Sequence, residues 1–321
     1  MKKNKNILII IILLLLFLCI LPFVIIDKYH QHVFILILLY ATLASAWNIL
    51  GGFAGQVSLA NVLFLAIGAY TSSYLFVHFA ISPWIGMIIG GLLAMLFSLL
   101  IGVPFFRLHG RYFLIATVAL VPTAQALANR WELIGGARGL LIPLAKEPSL
   151  AIFQFKTKIP FYFIILGILI ITLIIVINIY RSKLGYCLRT IKMDQDAAES
   201  LGINSRKYKL IAIMISAFIT SIAGSFYAQY IQYIDPISVI KVDTSILMVL
   251  ITAAGGIETI FGPILGAVIL IPLAEYTRSS LGGLGSGIDL VIYGFLIMLI
   301  CMYEPGGILE IVAKYKRRKE G

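Results

Sequence analysis

Residues 161–180, FYFIILGILIITLIIVINIY, carry no charged side chain, yet RSKLGYCLRTIKMDQDAAESLGINSRKYK (Arg181–Lys209), which follows, holds seven Lys/Arg and three acidic residues. From Leu210 to Tyr233 the chain is apolar again. A run of about 18 or more apolar residues is long enough to cross a bilayer as a helix. The stretch therefore reads as span, polar island, span, and the middle of the island reads as helical. A polar helix held between two spans is a poor place to bind substrate and a good place for another protein to push.

The pattern repeats outward. The 321 residues are 61% hydrophobic and only 12% charged, with a mean hydropathy of +1.03; soluble domains are about 25% charged. Apolar stretches at Ile7–Ile26, Val33–Leu50, Val57–Ile81, Trp84–Phe106 and Tyr112–Asn129 precede the island, and Ser245–Glu275 and Ile288–Tyr303 follow it. They lack the alternation of a membrane β-barrel, and helices are the other way to satisfy a backbone in lipid. The expected fold is all-α and polytopic, one domain over residues 1–321, with about 8–10 transmembrane helices, some broken by glycine. The MKKNKN start and Ile7–Ile26 resemble a signal peptide. The apolar core is too long for one and no A-x-A site follows, so a retained first span is expected.

Charge sets the orientation. With both termini cytoplasmic, the turn at Arg107, the island and the tail fall inside with 17 of the 25 Lys and Arg, and none is left within a span; this is the positive-inside arrangement. Residues 130–160 then form a long extracytoplasmic loop. The net charge of +11 lies in loops and tails rather than along one face, which fits lipid headgroups and not nucleic acid.

Two apolar stretches carry glycine breaks: GGFAGQVSLAN at 51–61, with Gly51, Gly52 and Gly55, and AAGGIETIFGPILGA at 253–267, with Gly255, Gly256, Gly262 and Pro263. Glycine lets the backbone leave the helix, and Gln56, Ser58 and Asn61 would then present polar groups at membrane depth, where unwound backbone is tolerated in protein or beside water. Paired breaks point to a substrate pathway; close helix packing is the alternative. Asn48, Thr117 and Gln125 are further pathway candidates. Glu258, in the second break, is expected at the cytoplasmic end rather than in a pore.

Several chemistries lack their residues. There is no Gly-Lys pair and hence no P-loop, so the chain is expected to bind no cofactor itself. The three cysteines and four histidines show no metal or disulfide spacing. No catalytic constellation marks an enzyme, and no Asp, Glu or Lys stands clearly mid-membrane to take up a driving ion.

Within the island, Asp196-Ala197-Ala198-Glu199-Ser200-Leu201-Gly202 reads as a short helix stopped by Gly202. Ala198 and Leu201 are expected to share a face, as are Met193, Ala197 and Leu201, which makes one side apolar enough to dock. A solvated loop on anionic lipid fits the same spacing equally well.

Four stretches, running in order from about Leu43 to Ala267, resemble the permease subunits of bacterial ABC importers for branched-chain amino acids, the LivM-type branch in particular. They are LASAWNILGGFAGQVSLANVLFLAIGAYTSSYL, HGRYFLIATVALVPTAQALANRWELIGGARGL, RSKLGYCLRTIKMDQDAAESLGINSRKYKLIAIMISAFITSIAGSFYAQ and GGIETIFGPILGA. The third is the most specific. The resemblance implies that Asp196, Ala197, Ala198, Glu199, Leu201 and Gly202 belong to a coupling helix that fits a groove on a cytoplasmic ATPase. It further implies two ATPase subunits that use ATP, a second related permease, an extracytoplasmic substrate-binding protein and a place in the bacterial cell membrane. Ala60-Asn61-Val62 stands where relatives commonly carry Gly-His-Ala, and Val121-Pro122-Thr123 where an apolar–acidic pattern is usual. Both leave the cargo open to urea, short amides or sugars. A self-sufficient secondary carrier is the other reading.

Overall fold

In a computed structural model of the chain, residues 18–24, 27–108, 111–143, 149–281 and 294 are described. The expected spans at 7–26 and 288–303 lie largely or wholly outside them. The helices are α1 (Lys28–Leu50), α2 (Asn61–Phe79), α3 (Pro83–Phe105), α4 (Arg111–Arg130), α5 (Ile159–Arg181), α6 (Lys183–Met193), α7 (Gln195–Ser200), α8 (Ser205–Ile231), α9 (Pro236–Val239), α10 (Val242–Gly255) and α11 (Gly262–Leu281). Among the described residues seven segments are long and apolar enough to cross a membrane: α1 to α5, α8, and α9 with α10; a shorter apolar helix covers Gly262–Thr277.

Side chains cap several of the helix starts. Asp27 caps α1 by accepting the Tyr29 N–H at 3.0 Å and meeting His30 Nδ1 at 2.6 Å. The Tyr29 bond, then the His30 contact, hold its carboxyl below the usual range. This cap draws the polar residues 28–32 into the helix, so α1 starts before the expected Val33. Asn204 accepts the Lys207 N–H at 2.9 Å and opens α8 inside the island. Lys209 therefore stands within α8 together with Arg206 and Lys207, and unlike them it is buried, so the expectation that no Lys or Arg lies within a span is not met in α8.

α8 is the central pillar, with α2 and α3 packed along it and α1 against it, while α5, α10 and α11 pack around α1. The α2–α8 crossing is close: a Cβ on Gly224 would land on the Leu65 backbone, and one on Gly68 on that of Ser221. Small residues let membrane helices approach this closely. One apolar cluster, with Trp47, Phe153, Phe161 and Phe226, fills the loop end and the middle. A second, with Phe53, Phe64, Phe113 and Leu188, fills the island end.

The 130–160 stretch lies at the end opposite the island. It adds an element the all-α reading lacks, a two-residue antiparallel pair of β1 (Leu140–Leu141) and β2 (Tyr233–Ile234). The Ile142 N–H extends the pairing to Gln232 O at 2.9 Å, and Trp84 Nε1 donates to Leu150 O at 2.8 Å. These bonds anchor the loop to the bundle.

Candidate functional site

The two glycine breaks and the island meet at one end of the bundle. α1 stops at Leu50 and α2 starts at Asn61; α10 stops at Gly255 and α11 starts at Gly262. Asn48, in the last turn of α1, joins the two breaks: Nδ2 donates to Thr259 O at 2.8 Å and Oδ1 accepts the Glu258 N–H at 3.3 Å. Thr259 closes the second break locally by bonding Gly256 O at 2.7 Å and accepting the Gly262 N–H at 2.9 Å.

The first break is satisfied by side chains from four helices. Trp47 Nε1 donates to Ser58 O at 2.8 Å and Thr117 Oγ1 accepts the Leu59 N–H at 3.2 Å. Ser245 Oγ accepts the Val62 N–H at 3.1 Å, and Asn61 Nδ2 donates to Ser216 Oγ at 3.2 Å. Ser216 stands eleven residues into α8, roughly 17 Å along it at 1.5 Å per residue, so the unwound chain reaches well into the bundle. Ser58, Asn61, Asn48 and Thr117 are all buried and internally bonded. Gln56, expected with Ser58 and Asn61 to present polar groups at membrane depth, is buried too, so in this segment it is protein that surrounds the unwound backbone. Gln125 is set apart, half-buried near the loop end, with its amide 3.4 Å from Pro236 O.

The island folds as two helices. On α6, Gly185, Cys187, Leu188 and Ile191 face the bundle. The stem of Lys192 crosses Gly55, where a Cβ would lie 2.8 Å from its Cγ, and its ammonium pairs with Glu258. Glu258 is thus at the island end. Exposed pairs contribute about 0–1 kcal/mol. Glu258→Ala is expected to move the thermal midpoint in detergent by under about 4 °C; a larger shift would mean that the pair, and not Asn48, holds the second break.

α7 is capped at both ends. Asp194 Oδ1 accepts the Ala197 N–H at 3.0 Å. Beyond Ser200 the Ile203 N–H bonds Ala198 O at 3.0 Å and the Gly202 N–H bonds Glu199 O at 2.9 Å, with Gly202 at φ +82°. This is the Schellman stop, which calls for a residue able to adopt a left-handed conformation. Asp196, Ala197 and Glu199 are exposed, but Ala198 is 1% exposed and faces the chain, whereas Leu201 and Met193 are 78% and 89% exposed. Ala198 and Leu201 therefore do not share a face: Leu201 is already the cap residue, turned outward, and the helix rests on its Ala198 side. The outward apolar surface is Met193, Ala197 and Leu201.

Sequence reasoning missed the buried cluster under α7. Lys209 Nζ donates to Gln56 Oε1 at 3.0 Å and to Gln195 Oε1 at 2.7 Å. The signal was Asn204, a helix cap that puts Lys209 on the bundle. Among the described residues no group of three or more His, Cys, Asp or Glu could hold a metal. Two unwound segments are thus bonded to an island whose outer surface is exposed.

Over residues 30–301 the chain matches the family described as the permease component of the branched-chain amino acid transport system. It is 26% identical over 310 residues to the high-affinity branched-chain amino acid transport system permease protein LivM of Escherichia coli (strain K12), covering 89% of this chain and 71% of that one. It is 25% identical over 217 residues to the nucleoside ABC transporter permease protein NupC of Lactococcus lactis subsp. cremoris (strain MG1363), covering 61% and 66%. The fructose import permease protein FruF of Bifidobacterium longum (strain NCC 2705) is 25% identical over 173 residues, covering 51% and 47%. No solved structure matches the chain. A match over most of its length, on a bundle of apolar helices, means that the chain belongs to the branched-chain amino acid permease family, as a multi-pass membrane subunit of the ABC type.

Proposed function

We propose that this chain is one of two permease subunits of an ATP-driven importer for branched-chain amino acids in a bacterial cell membrane. Two cytoplasmic ATPase subunits serve the assembly, one seating on the exposed Met193, Ala197 and Leu201 of this chain's island. The observation that carries the reading is a capped helix presenting that apolar surface, on an island bonded to both membrane breaks. ATP is bound and hydrolysed by the partners, which move α7 and switch the pathway between outward- and inward-open. The termini are cytoplasmic, and the basic residues flanking α7 rest against lipid headgroups. An extracytoplasmic binding protein delivers substrate to the 130–160 end.

The second permease, a related chain, packs across the pathway from α4. Of the seven spans α4 is the least covered by the rest of the chain, and its open face carries Ala119, Pro122, Thr123 and Ala126. Its covered face holds Thr117, which grips the first break. The pathway thus runs beside the 51–61 segment and along α4 past Gln125, with Asn48, Gln56, Ser58, Asn61 and Thr117 shaping its wall.

Affinity purification from mild detergent is expected to bring down an ATPase and a second permease. Liposomes holding that assembly and its binding protein are expected to take up leucine, isoleucine and valine only with ATP. Uptake by this chain alone on an ion gradient would establish a self-sufficient carrier instead. The likeness to the nucleoside and fructose permeases favours a second reading of the cargo. Competition of leucine uptake by nucleosides, fructose and urea decides between them.

A further inference from the structure

If partners drive α7, a physical route must lead from that helix into the membrane, and a buried cation lies on it. Lys209 is 5% exposed and its ammonium is shared between Gln56 Oε1 at 3.0 Å and Gln195 Oε1 at 2.7 Å. Gln195 belongs to α7, Gln56 to the unwound segment, and Lys209 to the pillar helix α8. The network continues on the α7 side. Gln195 Nε2 donates to Glu199 Oε1 at 3.0 Å and Ser205 Oγ at 3.3 Å, and the Ser205 hydroxyl donates to Glu199. Glu199 thereby places a countercharge one side chain away from the ammonium.

An ammonium held out of water needs its hydrogen-bond partners, and removing one leaves a buried charge undercompensated. A displacement of α7 therefore either breaks a charge-assisted bond or draws Lys209 and Gln56 along. The other polar tie between island and breaks, Lys192 with Glu258, is substantially exposed and transmits less force. We propose that Lys209 is a positioning residue for transport, the joint through which movement of α7 is conveyed to the 51–60 break. This rests on the coupling role proposed for α7.

The test uses the complete transporter in liposomes, with leucine uptake and ATP hydrolysis followed on the same preparation. Lys209→Met keeps the stem and removes the ammonium. It is expected to copurify with the ATPase as the wild type does and to hydrolyse ATP within about twofold, while leucine moved per ATP falls about tenfold. Lys209→Arg restores at least about half of that ratio, since its guanidinium again reaches both amide oxygens. Should the methionine variant fail to fold, Gln195→Leu cuts the link from α7 to Lys209 outside the spans and is expected to give the same loss. Wild-type leucine per ATP in a folded, ATPase-bound variant of either kind overturns the joint and leaves the importer reading standing. If no ATPase accompanies the wild-type chain, both fall.

Discussion

Replacing Ala198 by leucine is expected to abolish ATP-driven uptake while the chain remains in the membrane at its normal level. Ala198 is 1% exposed, on the side by which α7 rests on the bundle. Extra methylenes in a packed site cost about 1–3 kcal/mol. The bundle withstands this, because its spans are long and pack along α8. α7 does not, because six residues make fewer than two turns and helices so short are marginal without their contacts. The expected result is local: α7 is lifted, the Gln195–Lys209 bond is lost, and uptake drops at least about tenfold, the equivalent of one broken charge-assisted bond. Two companions separate packing from docking. Gly202→Ala sits at φ +82° with nothing within 4 Å of an added Cβ, so its penalty is the left-handed backbone alone, about 1 kcal/mol, and uptake should largely persist. Leu201→Asp alters an exposed side chain and is expected to weaken ATPase copurification without disturbing the chain. Normal uptake by the Ala198→Leu protein would rule out α7 as the driven element.

Much of this arrangement is legible in the sequence, for one physical reason: a bilayer demands long apolar runs, and their positions survive folding. The break between α10 and α11 falls where Gly255 and Gly262 place it. What escapes detection is whatever depends on partners distant in sequence. β1 and β2 have two residues each, too few for alternation to register, and neither exists without the other. The polar residues at 56–61 look like an open lining because their partners, Thr117, Lys209, Ser216 and Ser245, come from other helices. Hydropathy also counts Lys209 with the island's solvated charges; only the cap at Asn204 shows that a helix has already begun. Helical spacing placed Ala198 with Leu201, but the cap conformation at Leu201 turned that side chain away.

Glycines are where sequence alone is least informative, and they supply the largest expected effect on stability. Gly224→Leu is expected to prevent the bundle from assembling: folded protein in detergent should be scarce, with a thermal midpoint lowered by more than about 10 °C if any is recovered. A Cβ at this position meets the Leu65 carbonyl, Cα and O, all backbone, so no side chain can swing aside and α2 must leave α8. Overpacking against movable side chains costs about 1–3 kcal/mol; against backbone at the central crossing the cost should exceed that range, because the contacts on both sides open together. Gly167 in α5 provides the comparison, with nothing within 4 Å of an added Cβ. Gly167→Leu is expected to be neutral within about 0.5 kcal/mol, as substitutions at uncrowded positions usually are, or slightly stabilising from helix propensity. Nothing in the neighbouring sequence, Ala223-Gly224-Ser225 against Leu166-Gly167-Ile168, measures that contrast in magnitude. Equal midpoints for the two variants would mean that α2 and α8 do not cross at Gly224, and the placement of the first break against α8 would have to be redrawn with them.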